Sequence, residues 1–160
     1  RHLIRCHAMA GRALGVDLGG RRIGLALSDA SGLLARPYKT LTVTAGSALN
    51  DLVREIEQLA DDEDRLAVIV VGLPKRLDGQ DSEQTARVTA MVAALRARTD
   101  VPVVTEDERL SSHEAEQRLA VRERDWRKRK AQLDAAAAAV FLQDYLDRQA
   151  SLPVMPHGVD

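Results

Sequence analysis

Residues 14–29 read LGVDLGGRRIGLALSD, and this stretch decides the fold. An apolar run at 14–18 ends in Gly19-Gly20, and residues 22–29 then alternate apolar and other side chains, with Ile23, Leu25 and Leu27 on one side. This pattern predicts two antiparallel strands joined by a tight turn. Turn-forming residues at 29–32 then lead into a third extended segment at 33–41. The N-terminal third is therefore predicted to be a three-stranded meander.

The rest of the chain alternates between helical and strand patterns. Residues 47–60 carry apolar side chains at three- and four-residue steps, which predicts an amphipathic helix. Residues 66–73 are apolar throughout, as in a central strand that is covered on both faces. The further predicted elements are a helix from Asp81 or Ser82 through Leu95, a strand at 101–105, a helix at 111–120 opened by a Ser111/Glu114 capping box, and a helix at about 124–148. The order β-β-β-α-β-α-β-α-α predicts one α/β domain with a mixed sheet.

Length and composition narrow the class of protein. A chain of 160 residues with a formal net charge of −1 suits one domain, and it excludes a polyanion binder that relies on overall charge. Any nucleic-acid contact must then come from a local basic face. Cys6 is the only cysteine, so an internal disulfide and a thiolate zinc cage are excluded, and a reducing, cytoplasmic compartment is expected. No apolar run is long enough to predict a membrane span.

The ends of the chain differ from its middle in pattern. Residues 1–8 precede Met9 and the first regular pattern, so we expect an N-terminal extension there. A single folded domain is predicted at 9–148. Residues 149–160 contain Pro153 and Pro156 and are expected to form a flexible tail.

Two carboxylates stand where apolar side chains are expected. Asp17 lies within an apolar strand, where burying a carboxylate is costly unless a cation or hydrogen-bond donors meet it. Capping of the turn at Gly19 is the simpler alternative. Asp134 shares a helical stripe with Phe141 and Tyr145, which should pack inward, although it could also serve to favour an early helical turn.

A third acidic position follows the strand predicted at 101–105. Glu106, Asp107 and Glu108 emerge at the carboxyl end of a parallel strand, the usual ligand edge of an open α/β sheet. Strand alternation puts Glu106 and Glu108 on one face and Asp107 on the other, so the three cannot all point to one site. An exposed acidic rim is the alternative.

Carboxylates from separate elements suit a divalent metal. Mg²⁺ and Mn²⁺ prefer oxygen ligands, and such ions activate water and stabilise the oxygens of a phosphodiester in hydrolysis. Basic residues flank the acids, which suits contact with a phosphate backbone, although a solvated helix face would look the same. These residues are Arg21, Arg22, Lys75, Arg76, Arg109, Arg118, Arg122, Arg124 and the run Arg127, Lys128, Arg129 and Lys130.

Four ordered blocks of the sequence resemble the YqgF/RuvX family of Holliday junction resolvases and pre-ribosomal-RNA nucleases, in the RNase H-like superfamily. They are GVDLGGRRIGLALSD from Gly15, VGLP from Val71 with Asp78-Gly79 and Gln84, DERLSS from Asp107, and Lys130 with Asp134, Ala137 and LQDYL from Leu142. The resemblance runs from about Gly15 to Leu146. It implies an RNase H-like mixed five-stranded sheet flanked by helices.

The resemblance also implies roles for residues. Asp17, Asp107, Glu108 and Asp134 would be the catalytic, metal-binding acids, with one of the Asp107-Glu108 pair as a ligand. Lys75, Arg76 and Arg109 would contact phosphate, and we add Arg21, Arg22, Arg127 and Lys130 as nucleic-acid contacts because they flank the acids. The implied activity is Mg²⁺- or Mn²⁺-dependent cleavage, either of the small-subunit ribosomal RNA precursor or of four-way DNA junctions.

Two other classes of function compete with this hypothesis. Asp17-Leu18-Gly19-Gly20 is similar to the phosphate loop of actin-like sugar kinases and chaperone ATPases, but those enzymes close two such lobes over a nucleotide and this chain has room for one. A non-catalytic nucleic-acid binding module is the second alternative, which the retained acids disfavour. Symmetric cutting of a junction would require a two-fold homodimer.

Overall fold

The computed structural model describes residues 11–74, 83–107 and 126–151, with side chains in the last range described from residue 132. Five strands and three helices lie in these ranges. They are β1 (Arg12–Leu18), β2 (Arg22–Ser28), β3 (Ala35–Thr42), α1 (Ala48–Ala60), β4 (Leu66–Leu73), α2 (Glu83–Arg96), β5 (Val103–Asp107) and α3 (Trp126–Ser151).

The strands form one mixed sheet in the order β3-β2-β1-β4-β5. β1 pairs antiparallel with β2 and β2 antiparallel with β3, whereas β4 is parallel to both β1 and β5. The meander and the mixed five-stranded sheet predicted from the sequence are confirmed. The carboxyl ends of β1, β4 and β5 consequently meet at one edge of the sheet.

Helices cover the two faces of the sheet. On one face, β-strand side chains such as Leu14, Val16 and Ile69 pack with α1 and α2. On the other face, Val70 and its neighbours pack against Phe141 of α3. The continuous apolar run in β4 follows from this layering, because both of its faces are buried.

α3 lies directly on the sheet where two strands have glycine. A methyl group at Gly15 would lie 3.0 Å from the Ala138 carbonyl oxygen and 3.0 Å from Cβ of Leu142. A methyl group at Gly24 would lie 2.1 Å from the Asp134 carbonyl oxygen, closer than real Cβ atoms come to any backbone atom. Glycine at these two positions therefore sets the height of α3 above β1 and β2.

The predicted boundaries of two strands, β5 and β3, are wrong. β5 runs from Val103 to Asp107 instead of 101–105, because it pairs with β4 through to the Leu73–Asp107 partners. Leu33 and Leu34 precede β3 instead of forming part of it. Their backbone N–H groups donate to Oδ1 of Asp29, at 2.9 and 3.0 Å. The bond from Leu34, the bond from the Ser31 hydroxyl and the bond from Leu33 lower the pKa of Asp29.

The ends of the chain are only partly described. α3 ends at Ser151, beyond the predicted domain boundary at residue 148. The expected extension at 1–8, the predicted helix at 111–120 with its capping box, and residues 152–160 lie outside the described residues. Within 11–74, 83–107 and 126–151, none of the helices combines the length and the apolar character needed to cross a membrane.

Candidate active site at the junction of β1, β2 and α3

Asp17 lies near the carboxyl end of β1, on the face of the sheet that α3 covers. Its neighbours Val16 and Leu18 belong to the opposite core, with α1 and α2, so strand alternation directs Asp17 towards α3. The side chain is partly buried. A carboxylate thus lies one residue before the end of a strand whose other residues, apart from Arg12, are apolar.

Asp17 and Asp134 both lie next to Gly24. Asp17 stands directly opposite Gly24 in the antiparallel β1–β2 pair, which places their Cα atoms about 5 Å apart and their substituents on one face. Gly24 in turn contacts the backbone of Asp134. Two acids that are far apart in the sequence therefore lie on either side of a single glycine, at the point where β2 and α3 are in contact.

Arg22 forms an ion pair with Asp134. Its Nε lies 2.7 Å from Oδ2 of the carboxylate, and both side chains are about one-quarter to one-third exposed, at 32% for Arg22 and 25% for Asp134. Arg22 lies two residues before Gly24, so it projects from the same face of β2. Arg22 was predicted to contact nucleic acid; in the structure it contacts an acid of the candidate site.

The acids at the end of β5 divide between the two faces. Asp107 is paired with Leu73, which packs on the α1/α2 core, so its strand position places it on the face away from Asp17. Glu106 lies on the α3 face, is 8% exposed and forms an ion pair with Arg148. Glu108 lies outside the described residues.

Glu106 is the carboxylate that the sequence analysis did not select as a site residue. It pairs with Gly72, and Val71 pairs with Val16, so Glu106 lies level with Asp17 but two strands away, about 10 Å across the sheet. Strand alternation could have identified Glu106 from the sequence, because it places Glu106 and Asp107 on opposite faces of the sheet. The ion pair with Arg148 makes Glu106 a contact between β5 and α3, not a partner of Asp17.

The donor set at Asp17 and Asp134 fits a hard divalent cation. Among the side chains in 11–74, 83–107 and 132–151, no three histidines, cysteines or acids lie close enough together to hold a metal. Mg²⁺, however, is commonly held by one or two carboxylates together with water and substrate phosphate. The Asp134 carboxylate already forms an ion pair with the Arg22 guanidinium, so positive charge is stabilised at this position.

Cationic side chains surround the turn between β1 and β2. Arg21 is exposed in this turn, and its carbonyl oxygen accepts a hydrogen bond from Val43 N–H at 2.9 Å. Nη1 of Arg87, on α2, would lie 4.0 Å from a methyl group at Gly20. Arg87 was not predicted, because nothing in the sequence shows which turn an exposed α2 residue approaches.

The side chains of the other predicted cations lie outside the described part of the chain. Lys75, Arg76 and Arg109 lie outside the described residues, and Arg127 and Lys130 lie in the first turns of α3, where only the backbone is described.

Known proteins resemble this chain over nearly its whole length. A sequence profile of the RuvX family, described as Holliday junction resolvase, matches residues 11–148. A protein of Maridesulfovibrio salexigens is 39% identical over 86% of this chain and 98% of its own. One from Anaeromyxobacter dehalogenans strain 2CP-C is 45% identical over 87% of this chain and 98% of its own. Both are provisionally named pre-16S rRNA nucleases.

A solved structure shares the fold. RuvC of Thermus thermophilus, in complex with a Holliday junction substrate, superposes with a TM-score of 0.51 over 88% of this chain and 96% of that chain. The two sequences are 15% identical. The likeness establishes the RNase H-like architecture and, at that identity, nothing about the substrate.

Proposed function

This chain belongs to the RuvX family of Holliday junction resolvases, and we propose that it is a metal-dependent nuclease that hydrolyses phosphodiester bonds in structured nucleic acid. The observation that carries the proposal is the approach of Asp17 and Asp134 across Gly24. Carboxylates from a strand end and a helix, placed beside a cationic turn, suit a phosphate-bearing substrate.

Asp17 and Asp134 would hold Mg²⁺ or Mn²⁺, with Glu108, the residue that follows β5, as the further ligand of the Asp107-Glu108 pair, since Asp107 lies on the other face of the sheet. Such an ion, when bound, activates water and stabilises negative charge on the phosphate oxygens. The carboxylates of the chain fix the position of the ion. Arg21, Arg87 and the predicted cations Lys75, Arg76, Arg109, Arg127 and Lys130 would orient the polyanion by its backbone, independently of sequence.

Arg22 has a separate role in this proposal. Its guanidinium holds the Asp134 carboxylate in place and neutralises it while no metal is bound. Binding of a divalent cation would then compete with this ion pair, because both act on the same carboxylate.

The preferred substrate in this proposal is the precursor of 16S rRNA, cleaved near its 5′ end in the cytoplasm. The relatives provisionally named pre-16S rRNA nucleases support this choice, since they match this chain over 98% of their own length. The family description favours a second candidate, resolution of four-way DNA junctions. Resolution requires two symmetric cuts, so it also requires a two-fold homodimer of this chain.

A cleavage panel tests the proposed function. Purified protein is incubated with a precursor ribosomal RNA fragment, a four-way DNA junction and single strands of each, with Mg²⁺, Mn²⁺ or EDTA. We expect metal-dependent cleavage of the RNA precursor. Symmetric cutting of the junction, by a protein that sediments as a dimer, would favour the second candidate. Binding without cleavage under every condition would identify a non-catalytic module.

Removing Arg22 is expected to strengthen metal binding. Arg22→Gln deletes a cation 2.7 Å from Oδ2 of Asp134, so the apparent Kd for Mn²⁺ should fall by roughly threefold to tenfold. Electron paramagnetic resonance of free Mn²⁺ measures this without nucleic acid. Arg12→Gln is the matched control, because Arg12 forms a similar pair with Asp62 (2.9 Å) at the opposite end of β1. Unchanged or weaker Mn²⁺ binding by Arg22→Gln would contradict the competition.

A further inference from the structure

A groove of about 540 Å³ runs between the edge strand β3 and α3. Its lining residues are Pro37, Tyr38, Lys39, Thr40, Gln132, Ala135 and Ala136. The groove adjoins the part of α3 that carries Asp134, because Gln132 and Ala135 stand on either side of Asp134 in the helix; Asp134 itself is not among the lining residues. On the strand side, Thr40 pairs with Gly24, the residue that contacts Asp134.

Tyr38 lies at an irregularity in β3. The β2–β3 register shifts between Leu25, which pairs with Lys39, and Ala26, which pairs with Pro37. Tyr38 is therefore the extra residue of a bulge, and bulges beside functional sites redirect a side chain. Its side chain is 41% exposed, and Nζ of Lys39 lies 4.9 Å from the centre of the ring.

The groove is mainly apolar, and its flanks are cationic. Its lining residues include one cation and no acid. The hydrogen bond from Lys39 to Glu55, at 2.8 Å, raises the pKa of Lys39, and the two side chains form an ion pair, so the positive charge available to a ligand comes from the flanking residues. Arg36 is exposed on the same strand, and the basic run 127–130 lies in the helix just before Gln132. An apolar and aromatic cleft with cationic flanks matches the base and the phosphate of a nucleotide.

We propose that this groove binds an unpaired nucleobase of the substrate strand next to the cleaved phosphodiester, stacked on Tyr38. The proposal rests on the proposed nuclease function, since the groove adjoins Asp134. An aromatic ring stacks on any base, so the subsite confers a preference for unpaired over fully paired substrate and little preference for base identity.

Substitution of Tyr38 tests the subsite by binding. Two labelled duplexes are compared, one blunt and one with an unpaired single-stranded extension, in Ca²⁺ so that affinity is measured without relying on cleavage. Tyr38→Ala is expected to weaken binding of the extended duplex roughly tenfold, while Tyr38→Phe stays within about twofold of the unsubstituted protein. Binding of the blunt duplex should not change. The matched control is Leu33→Ala, which removes an apolar side chain that is 66% exposed and outside the groove.

A second measurement locates the base directly in the unsubstituted protein. An extension carrying 5-iodouracil is irradiated in the complex, and peptide mass spectrometry identifies the crosslinked residue. We expect the crosslink at Tyr38. This result does not depend on the folding of any variant.

Failure of the subsite and failure of the nuclease proposal are distinguishable. If the protein cleaves nucleic acid but Tyr38→Ala binds the extended duplex normally and the crosslink forms elsewhere, the subsite is wrong and the nuclease proposal stands. If the protein neither binds nor cleaves any nucleic acid, both are wrong. If Tyr38→Ala dissociates an oligomer and leaves the affinity for the extended duplex unchanged, the groove holds a second copy of the chain and the subsite is overturned.

Discussion

Asp17→Asn is expected to lower the single-turnover cleavage rate at least about a thousandfold and to leave nucleic-acid affinity within about twofold. The amide keeps the shape of the carboxylate but removes the negative charge that would hold the metal beside Asp134. Affinity should persist, because the cationic side chains around the β1–β2 turn would contact the phosphate backbone of the nucleic acid and not the metal. Rapid-quench kinetics with saturating enzyme measures the rate, and anisotropy measures the affinity.

Asp64→Asn is the matched control for this loss. Asp64 is exposed in the loop before β4, at the opposite edge of the sheet from the end of β1, so the same chemical change there should leave cleavage intact. Cleavage by Asp17→Asn at the unsubstituted rate would reject Asp17 as a metal ligand. Equal losses in both variants would indicate a general effect of charge and not a site at Asp17.

Gly24→Ala is expected to lower the free energy of unfolding by about 3 kcal/mol, the upper range for overpacked sites. The added methyl group would lie 2.1 Å from the Asp134 carbonyl oxygen and 2.8 Å from the Ala135 nitrogen. Because the obstacle is helix backbone, relief requires α3 to move away from β2. Urea denaturation followed by circular dichroism gives the change in free energy.

The same substitution should also damage the site in the molecules that remain folded. Lifting α3 separates Asp134 from Asp17, so Mn²⁺ affinity and cleavage should fall together even at temperatures where Gly24→Ala is fully folded. Gly46→Ala provides the control, since among the described residues a methyl group there would have only Oγ1 of Thr44 nearby, at 4.0 Å, and should change stability by less than about 1 kcal/mol. Normal stability and Mn²⁺ affinity in Gly24→Ala would contradict the proposed dependence of the site on this contact.

Much of the fold follows from local sequence patterns. The alternation at 22–28 and the unbroken apolar run at 66–73 predicted β2 and β4, and the helical spacing at 47–60 predicted α1. These predictions succeed because hydrophobic periodicity reports directly which faces are buried. The predicted ends of β3 and β5 were wrong. Hydrogen bonds to Asp29 decide where β3 begins, and pairing with β4 decides where β5 begins and ends.

The candidate site was predictable in its residue types but not in its arrangement. An acid within an apolar strand and an acid on the buried stripe of a helix are local anomalies, so Asp17 and Asp134 could be selected from the sequence alone. The Arg22–Asp134 pair joins positions that are 112 residues apart, and no local pattern predicts it. Arg87 near the turn and the groove beside Tyr38 likewise depend on packing between distant elements.

The sequence by itself determined the element types, the layers of the domain and the acids that suit a metal, since each of these depends on residue chemistry and short-range spacing. Only the tertiary structure decided which acids meet. Asp17 and Asp134 lie on either side of Gly24 because the β1–β2 register places Asp17 opposite this glycine, and because its missing side chain lets α3 approach the sheet. Register and helix height are set by contacts across the whole core, which is why the site exists only in the folded chain.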